Sequence, residues 1–347
     1  MCYTFTLKKT HVNDRRLPSA STIEGLECID VGKSGNVYAL DARRVVKRYE
    51  GDIDAEIRAE REVYERLGRH PNIAEFLGAL DDGSIILERG QVLRDRLLAE
   101  QQQTSARSMI PLRTKYRWVK QAATGLQHLH DHNIIQADVG CRNMIIAHRD
   151  GNLKLIDFEG CSIDGKGPNS SYEWFSYKPS TPRATVQTDI FALGCAIYEI
   201  VTGSHPHCEL KGFKDAQERV ERLYESNQFP QVAHLPMGAI MLDCWQGKFK
   251  SMREIVESIE LLSHGQSTTK SRQSTACNPA KMDPDRWAKD NALSEDIEGI
   301  SLGSGYMVHN DPGASPNTGC NSDRYTCTKP KPLTRPQLHK RPVVSHL

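Results

Sequence analysis

Residues 134–143 read IIQADVGCRN, and their reading decides the fold. Two isoleucines lead into the stretch and a second aliphatic run, MIIA at 144–147, leads out of it. Between these runs stand an acid, Asp138, and an amide, Asn143, five residues apart. Short aliphatic runs on both sides predict strand segments, so the polar residues fall in a loop anchored at each end. Downstream, LKLIDFEG (153–160) sets a second acid, Asp157, at the end of another short apolar run.

The chain ahead of this loop is strand-rich. IEGLECIDV and NVYAL flank the turn DVGKSGNV and predict a hairpin, with RRVVKRY as a third strand and NIAEFLGAL and SIILE as two more around a DDG turn. A helix is expected over 52–67: Asp52 or Asp54 can cap it, Ile57, Val63, Tyr64 and Leu67 supply one face, and Gly68 stops it. From about residue 91 helical patterns dominate, at 112–131, 187–202, 214–226 and 250–262. Strands first and helices after predict an α+β fold of two lobes with a cleft between them.

The chain has 347 residues, 38% of them apolar, enough for one large core or two modest lobes. A net charge of +1 gives no whole-chain attraction to nucleic acid or anionic membrane. No apolar run reaches the roughly 18 residues of a membrane span. The start, MCYTFTLKKT, has neither a secretory pattern nor a myristoylation glycine, so an intracellular location, cytoplasmic or nuclear, is expected. Ten scattered cysteines lack a CxxC pair and are expected to be reduced thiols, and HLHDH (128–132) reads as helix-end histidines rather than a metal site. Composition changes near Ser263: residues 264–347 are rich in Ser, Thr and Pro and are expected to be disordered, with a short helix at most near 285–300. The last stretch, 324–347, holds six basic residues and no acid, which would suit an acidic partner or a simply solvated tail.

Taken singly, the polar residues have ordinary readings: the glycines of DVGKSGNV suit any hairpin, Lys47 could reach solvent, and Glu60 could be a surface acid. Their order is the specific signal. Gly32, Gly35 and Val37 lie in a turn whose backbone can approach phosphates. Lys47 leaves a buried-type strand, and Glu60 is on the inner side of the predicted helix. Asp138 could orient a hydroxyl, and Asn143 and Asp157 could hold Mg²⁺ against phosphates.

On these motifs the sequence resembles a eukaryotic-type protein kinase domain over about 26–263, with a small lobe at 26–88, a large lobe at 91–263 and an extension at 1–25. HPNIAEFLG, TDIFALGCAIYEIVTGSHP and CWQGKF extend the match beyond the cleft, and the wording of IDFEGCSIDG and TDIFALG is similar to divergent kinase-like proteins of filamentous fungi. The resemblance implies ATP with Mg²⁺, or Mn²⁺ in its place, and a protein hydroxyl acceptor, more often Ser/Thr than Tyr. It implies that Lys47 and Glu60 position phosphates, Asp138 acts as the base, and Arg142 covers charge where such kinases usually place a Lys (here Gly140). It makes Leu87 the gatekeeper, with Glu88 and Arg89 offering backbone bonds to adenine. Asp189 would hold the loop backbone, and Phe158, Tyr64 and Phe76 would form a spine with Gln136.

Several positions depart from the family pattern. Asp30 stands where a loop glycine is usual, Gln136 for His, Ala137 for Arg (a non-RD loop), Glu159 for the glycine after Asp-Phe, and YKPSTP (177–182) for Ala-Pro-Glu. Ala137 cannot clamp a phosphorylated segment, so activity independent of such phosphorylation is expected. Lys248 or Lys250 lies where the Arg partner of the missing Glu would be sought. The alternative expectation is a pseudokinase, a nucleotide-binding or scaffolding module that transfers nothing.

Overall fold

The computed structural model describes residues 25–32, 34–49, 54–102, 109–179 and 184–272, with side chains at all of these except 54–58 and 263–272. The N-terminal extension before residue 25 and the expected short helix near 285–300 lie outside the described residues. So do Asp52, the side chains of Asp54 and Ile57, and residues 180–182 of YKPSTP.

The first strands are β1 (Cys28–Val31), β2 (Gly35–Ala39) and β3 (Arg44–Tyr49), followed by α1 (Asp54–Leu67), β4 (Phe76–Ala79) and β5 (Ile85–Glu88). They form a five-stranded antiparallel sheet in the order β1-β2-β3-β5-β4. The central strands carry Val45, Val46, Ile85, Ile86 and Leu87, all buried, so their β-branched, near-continuous apolar runs fit a sheet covered on both faces. The outer strand β1 is exposed along its length.

β6 (Gly90–Val92) carries the chain into α2 (Leu93–Gln101) and α3 (Leu112–Asp131). Then come β7 (Ile134–Ile135), β8 (Met144–Ala147), β9 (Leu153–Leu155) and β10 (Ser162–Ile163). The aliphatic runs around IIQADVGCRN do form strands: β7 pairs with β10, and β8 lies between β6 and β9. The loop from 136 to 143 is therefore tied down at both ends, as expected.

The large lobe is completed by α4 (Val186–Thr202), α5 (Ala216–Glu225), α6 (Gly238–Trp245) and α7 (Met252–Arg272). α4 starts with a reciprocal capping box between Thr185 and Thr188, which satisfies otherwise orphaned backbone donors. It ends at Gly203, whose φ of 85° is left-handed. Twelve of the seventeen residues of α4 are buried, against α3 on one side and α6 on another, making it the axis of the lobe. Each fully buried Ile or Leu there contributes about 1.5–3 kcal/mol.

Three elements differ from expectation. α2 buries only Leu93, Leu97 and Glu100, too narrow a stripe to mark a helix in sequence. α6 reads GAIMLDCW, in which even the outward-facing Ala239 and Leu242 are apolar, so its sequence shows no amphipathic period. α7 continues as backbone helix to Arg272, beyond the boundary set at 263, because HGQSTTKSR lacks an apolar stripe to announce it.

Candidate active site

Lys47 sits in the middle of β3, and its ammonium is enclosed by acids. Its Nζ donates to Glu60 Oε2 at 2.7 Å, to Asp157 Oδ1 at 2.8 Å and to Glu159 Oε2 at 2.9 Å. Glu60, on α1, is fully buried and also accepts from the Tyr49 hydroxyl at 2.6 Å. Burial alone would discharge the lysine, but the three carboxylates hold its pKa well above the ordinary value. The β3–α1 pair expected from sequence is present, and helix α1 is thereby fastened to the sheet.

Asp138 lies in the anchored loop with its carboxylate gripped by Arg142 Nη2 at 2.7 and 2.6 Å. Burial pushes its pKa up, and Arg142 opposes that rise. Asn143 donates from its amide to the Asp138 carbonyl at 2.8 Å, which fixes the loop and orients the Asn oxygen. Asp189 of α4 is fully buried and accepts from the backbone N–H of Gln136 at 2.9 Å and of Ala137 at 3.1 Å. It also bonds the His130 ring at 2.9 Å and accepts from the Tyr172 hydroxyl at 2.7 Å. Ala137 has a φ of 58°, a left-handed conformation that costs an L residue about 1 kcal/mol or more. The Asp189 carboxylate offsets that strain.

Tyr64 stacks on Phe76 at 5.7 Å and meets Phe158 edge-on at 5.0 Å, joining the lobes through the three aromatics expected. Gln136 reaches the same region, where its amide nitrogen donates to the carbonyl of Ile156 at 3.1 Å and to that of Asp157 at 3.4 Å. Its Oε1 is buried without a partner.

In the Asp-Phe-Glu stretch the left-handed residue is Asp157, with φ 66°. Gly160 serves close approach: an added Cβ would meet Ser170, because the Gly160 carbonyl accepts from Ser170 and Asn169. Asp30 is exposed and its carboxylate accepts from its neighbour Val31 N–H at 2.9 Å. The backbone N–H groups of Glu88 and Arg89 are engaged with the carbonyls of Glu75 at 3.0 Å and Arg43 at 2.8 Å, which leaves their carbonyls for the backbone bonds expected of them. The Glu88 side chain is buried against Lys154 at 2.7 Å. Leu87 is buried in β5. Lys248 pairs with Asp243, and Lys250 offers its backbone N–H to Glu254.

Sequence reasoning missed a second layer. Arg94 of α2 binds Glu173 through Nη1 at 2.7 Å and Nη2 at 2.8 Å, and Glu199 of α4 through Nε at 2.6 Å and Nη2 at 2.8 Å. Glu173 then fills the space beside Gly140, where an added Cβ would lie 2.7 Å from its Oε2. Nothing local marks these three residues as partners, since 79 residues separate Arg94 from Glu173. The oxygen donors of Asp157 and Asn143 suit a hard divalent cation. The carboxylate oxygens of Glu60, Asp157 and Glu159 all lie within 4.8 Å of one another.

A family model described as "Protein kinase domain" matches residues 27–270. A probable protein kinase of Dictyostelium discoideum is 31% identical over 145 residues, covering 40% of this chain and 41% of that protein. From the same organism, the probable serine/threonine-protein kinase ireA is 30% identical over 120 residues, 32% of this chain and 12% of that protein. The human tyrosine-protein kinase FRK is 25% identical over 198 residues, 52% of this chain and 38% of that protein. The chain thus spans less than half the length of each of these relatives.

Proposed function

Because the chain belongs to the protein kinase domain family, we propose that it transfers the γ-phosphoryl group of ATP to a serine or threonine hydroxyl of a protein. The observation that carries this reading is the juxtaposition of the Lys47–Glu60 pair with Asp157, alongside Asp138 in a loop fixed by Asn143 and Asp189. In this reading Lys47 holds phosphate oxygens and Asp138 orients the acceptor hydroxyl and takes its proton. Arg142 keeps the Asp138 carboxylate in one orientation, and Asn143 and Asp157 would hold Mg²⁺. The cation, when bound, would neutralise phosphate charge. Gly32, Gly35 and Val37 would cover the nucleotide, with Leu87 at its inner edge.

The serine/threonine assignment is supported by a relative whose name carries that activity, while a tyrosine kinase is also among the relatives. Phosphorylation-independent activity is supported by the anchoring of residues 170–176. Ser170 binds Gly160, Tyr172 binds Asp189, Glu173 binds Arg94, and the Phe175 carbonyl accepts from Tyr224 at 2.7 Å. None of these contacts requires a phosphate.

The test is transfer of labelled γ-phosphate to the protein itself or to a generic protein, followed by phosphoamino-acid analysis. Wild type should transfer, and Lys47→Met and Asp138→Asn should fall by at least about a hundredfold. Equal background from all three would overturn the proposal in favour of a pseudokinase.

A further inference from the structure

Glu159 makes a contact that the proposed chemistry does not use. Its Oε2 accepts from Lys47 Nζ at 2.9 Å and also from Ser34 Oγ, in the glycine turn. One carboxylate oxygen therefore bridges the strand lysine and the turn above it, and both donors are buried. Resting on the kinase reading, these are the two elements that would face nucleotide phosphate: an ammonium from β3 and a donor from the glycine turn. An oxygen anion already sits between them.

The charge balance sharpens the point. Counting Lys47, Glu60, Asp157 and Glu159, one positive charge faces three negative ones. Glu60 cannot leave, being fully buried and bonded by Tyr49. The Glu159 side chain is 18% exposed, at the end of a flexible stem, and can turn away. A nucleotide arriving without a cation would bring its full polyphosphate charge to Asp157 and Glu159. A nucleotide carrying a divalent cation brings less charge, and gives the displaced carboxylate a positive neighbour.

We propose that Glu159 is an internal competitor of nucleotide: its carboxylate occupies the phosphate-oxygen position between Lys47 and Ser34, and nucleotide displaces it only in company with a divalent cation. A glycine at this position would leave Lys47 and Ser34 open to metal-free nucleotide. The departure from the family pattern at residue 159 is then a setting of ligand selectivity rather than damage to the site.

The experiment is calorimetric titration of the full chain with ATP, in Mg²⁺ and in EDTA, for wild type, Glu159→Gln, Glu159→Gly and Glu159→Asp. Glu159→Gln preserves size and removes only the charge, so it remains informative should Glu159→Gly fail to fold. Glu159→Gln is expected to bind metal-free ATP at least about tenfold more tightly than wild type, with a much smaller gain in Mg²⁺. Glu159→Gly should behave like Glu159→Gln, and Glu159→Asp should keep the wild-type preference. An unchanged affinity of Glu159→Gln in EDTA, or an equal gain with and without Mg²⁺, overturns the competition. Absence of binding in Mg²⁺ by wild type and every variant overturns the kinase reading itself, and the competition with it.

Discussion

Gln136 shows how one substitution can keep a function while leaving a flaw. Its amide nitrogen serves two carbonyls at the base of the Asp157 loop, so the bonding role of that position survives. Its carbonyl oxygen is buried and unpaired, and such an orphan costs about 1–3 kcal/mol. Gln136→His would keep an N–H donor toward the same carbonyls and place a ring beside Phe158. We expect it to raise stability by about 1 kcal/mol in denaturant unfolding and to raise the rate of phosphate transfer; a lower midpoint would show that the glutamine is already fully accommodated. Lys47, Glu60, Asp138, Asn143 and Asp157 were legible as candidates because each is a particular residue type at its place in an ordered set. The partner of Glu159 was not, because a side chain that reaches back 125 residues to Ser34 leaves no mark in its own neighbourhood.

At the scale of elements, Arg94 ties helix α2 to α4 and to the segment that carries Glu173. Two carboxylates, Glu173 and Glu199, converge on it, and both are largely shielded from water. Removing the guanidinium would leave them facing each other. Arg94→Ala is therefore expected to lose about 2–4 kcal/mol of stability, read from denaturant unfolding, and to raise KM for a protein acceptor more than for ATP. Arg94→Lys should recover only part of both, because a point charge cannot replace the two-sided fork. A neutral Arg94→Ala would mean that Ser170, Tyr172 and Phe175 hold the segment without it. Helices α3, α4 and α5 were legible from their apolar stripes to within about two residues. α2 and α6 were not: one buries too few residues to show a period, and the other is apolar on its outward face as well, at Ala239 and Leu242. Periodicity registers only elements with one wet face and one dry face.

Across the whole molecule, three histidines pack between the end of α1 and the C-terminal end of α3. His70 stacks on His128 at 4.3 Å, and His128 lies 4.4 Å from His132. Burial, with the two neighbouring rings, lowers the His70 pKa from 6.5 to about 4. The folded state therefore binds fewer protons than the unfolded chain between these values. The neutral ring's contribution is complete above pH 6.5 and is lost as pH falls toward 4. His205 and His207 are lowered by burial as well and act in the same direction. Thermal midpoints should accordingly drop on acidification through this window, and His70→Asn, whose side-chain oxygen can replace the acceptor for the Asn72 N–H, should flatten the slope. Parallel slopes for the two proteins would assign the acid sensitivity elsewhere. The two-lobed order of strands before helices was legible because each lobe is continuous in sequence. The hydrogen-bonded hub at Asp189 was foreseen only through family resemblance, since its four partners come from α3, the loop, and the segment before α4. That hub also divides the cleft by its local unfolding. Releasing the Asp138 loop would take two backbone N–H donors from a fully buried carboxylate on the axial helix, so this side opens only when the helical lobe melts. The hairpin of β1 and β2, exposed along its outer strand, can fray alone. The half of the cleft that would receive phosphates therefore breathes at low cost, while the half that would present the acceptor hydroxyl stays set until the whole lobe is lost.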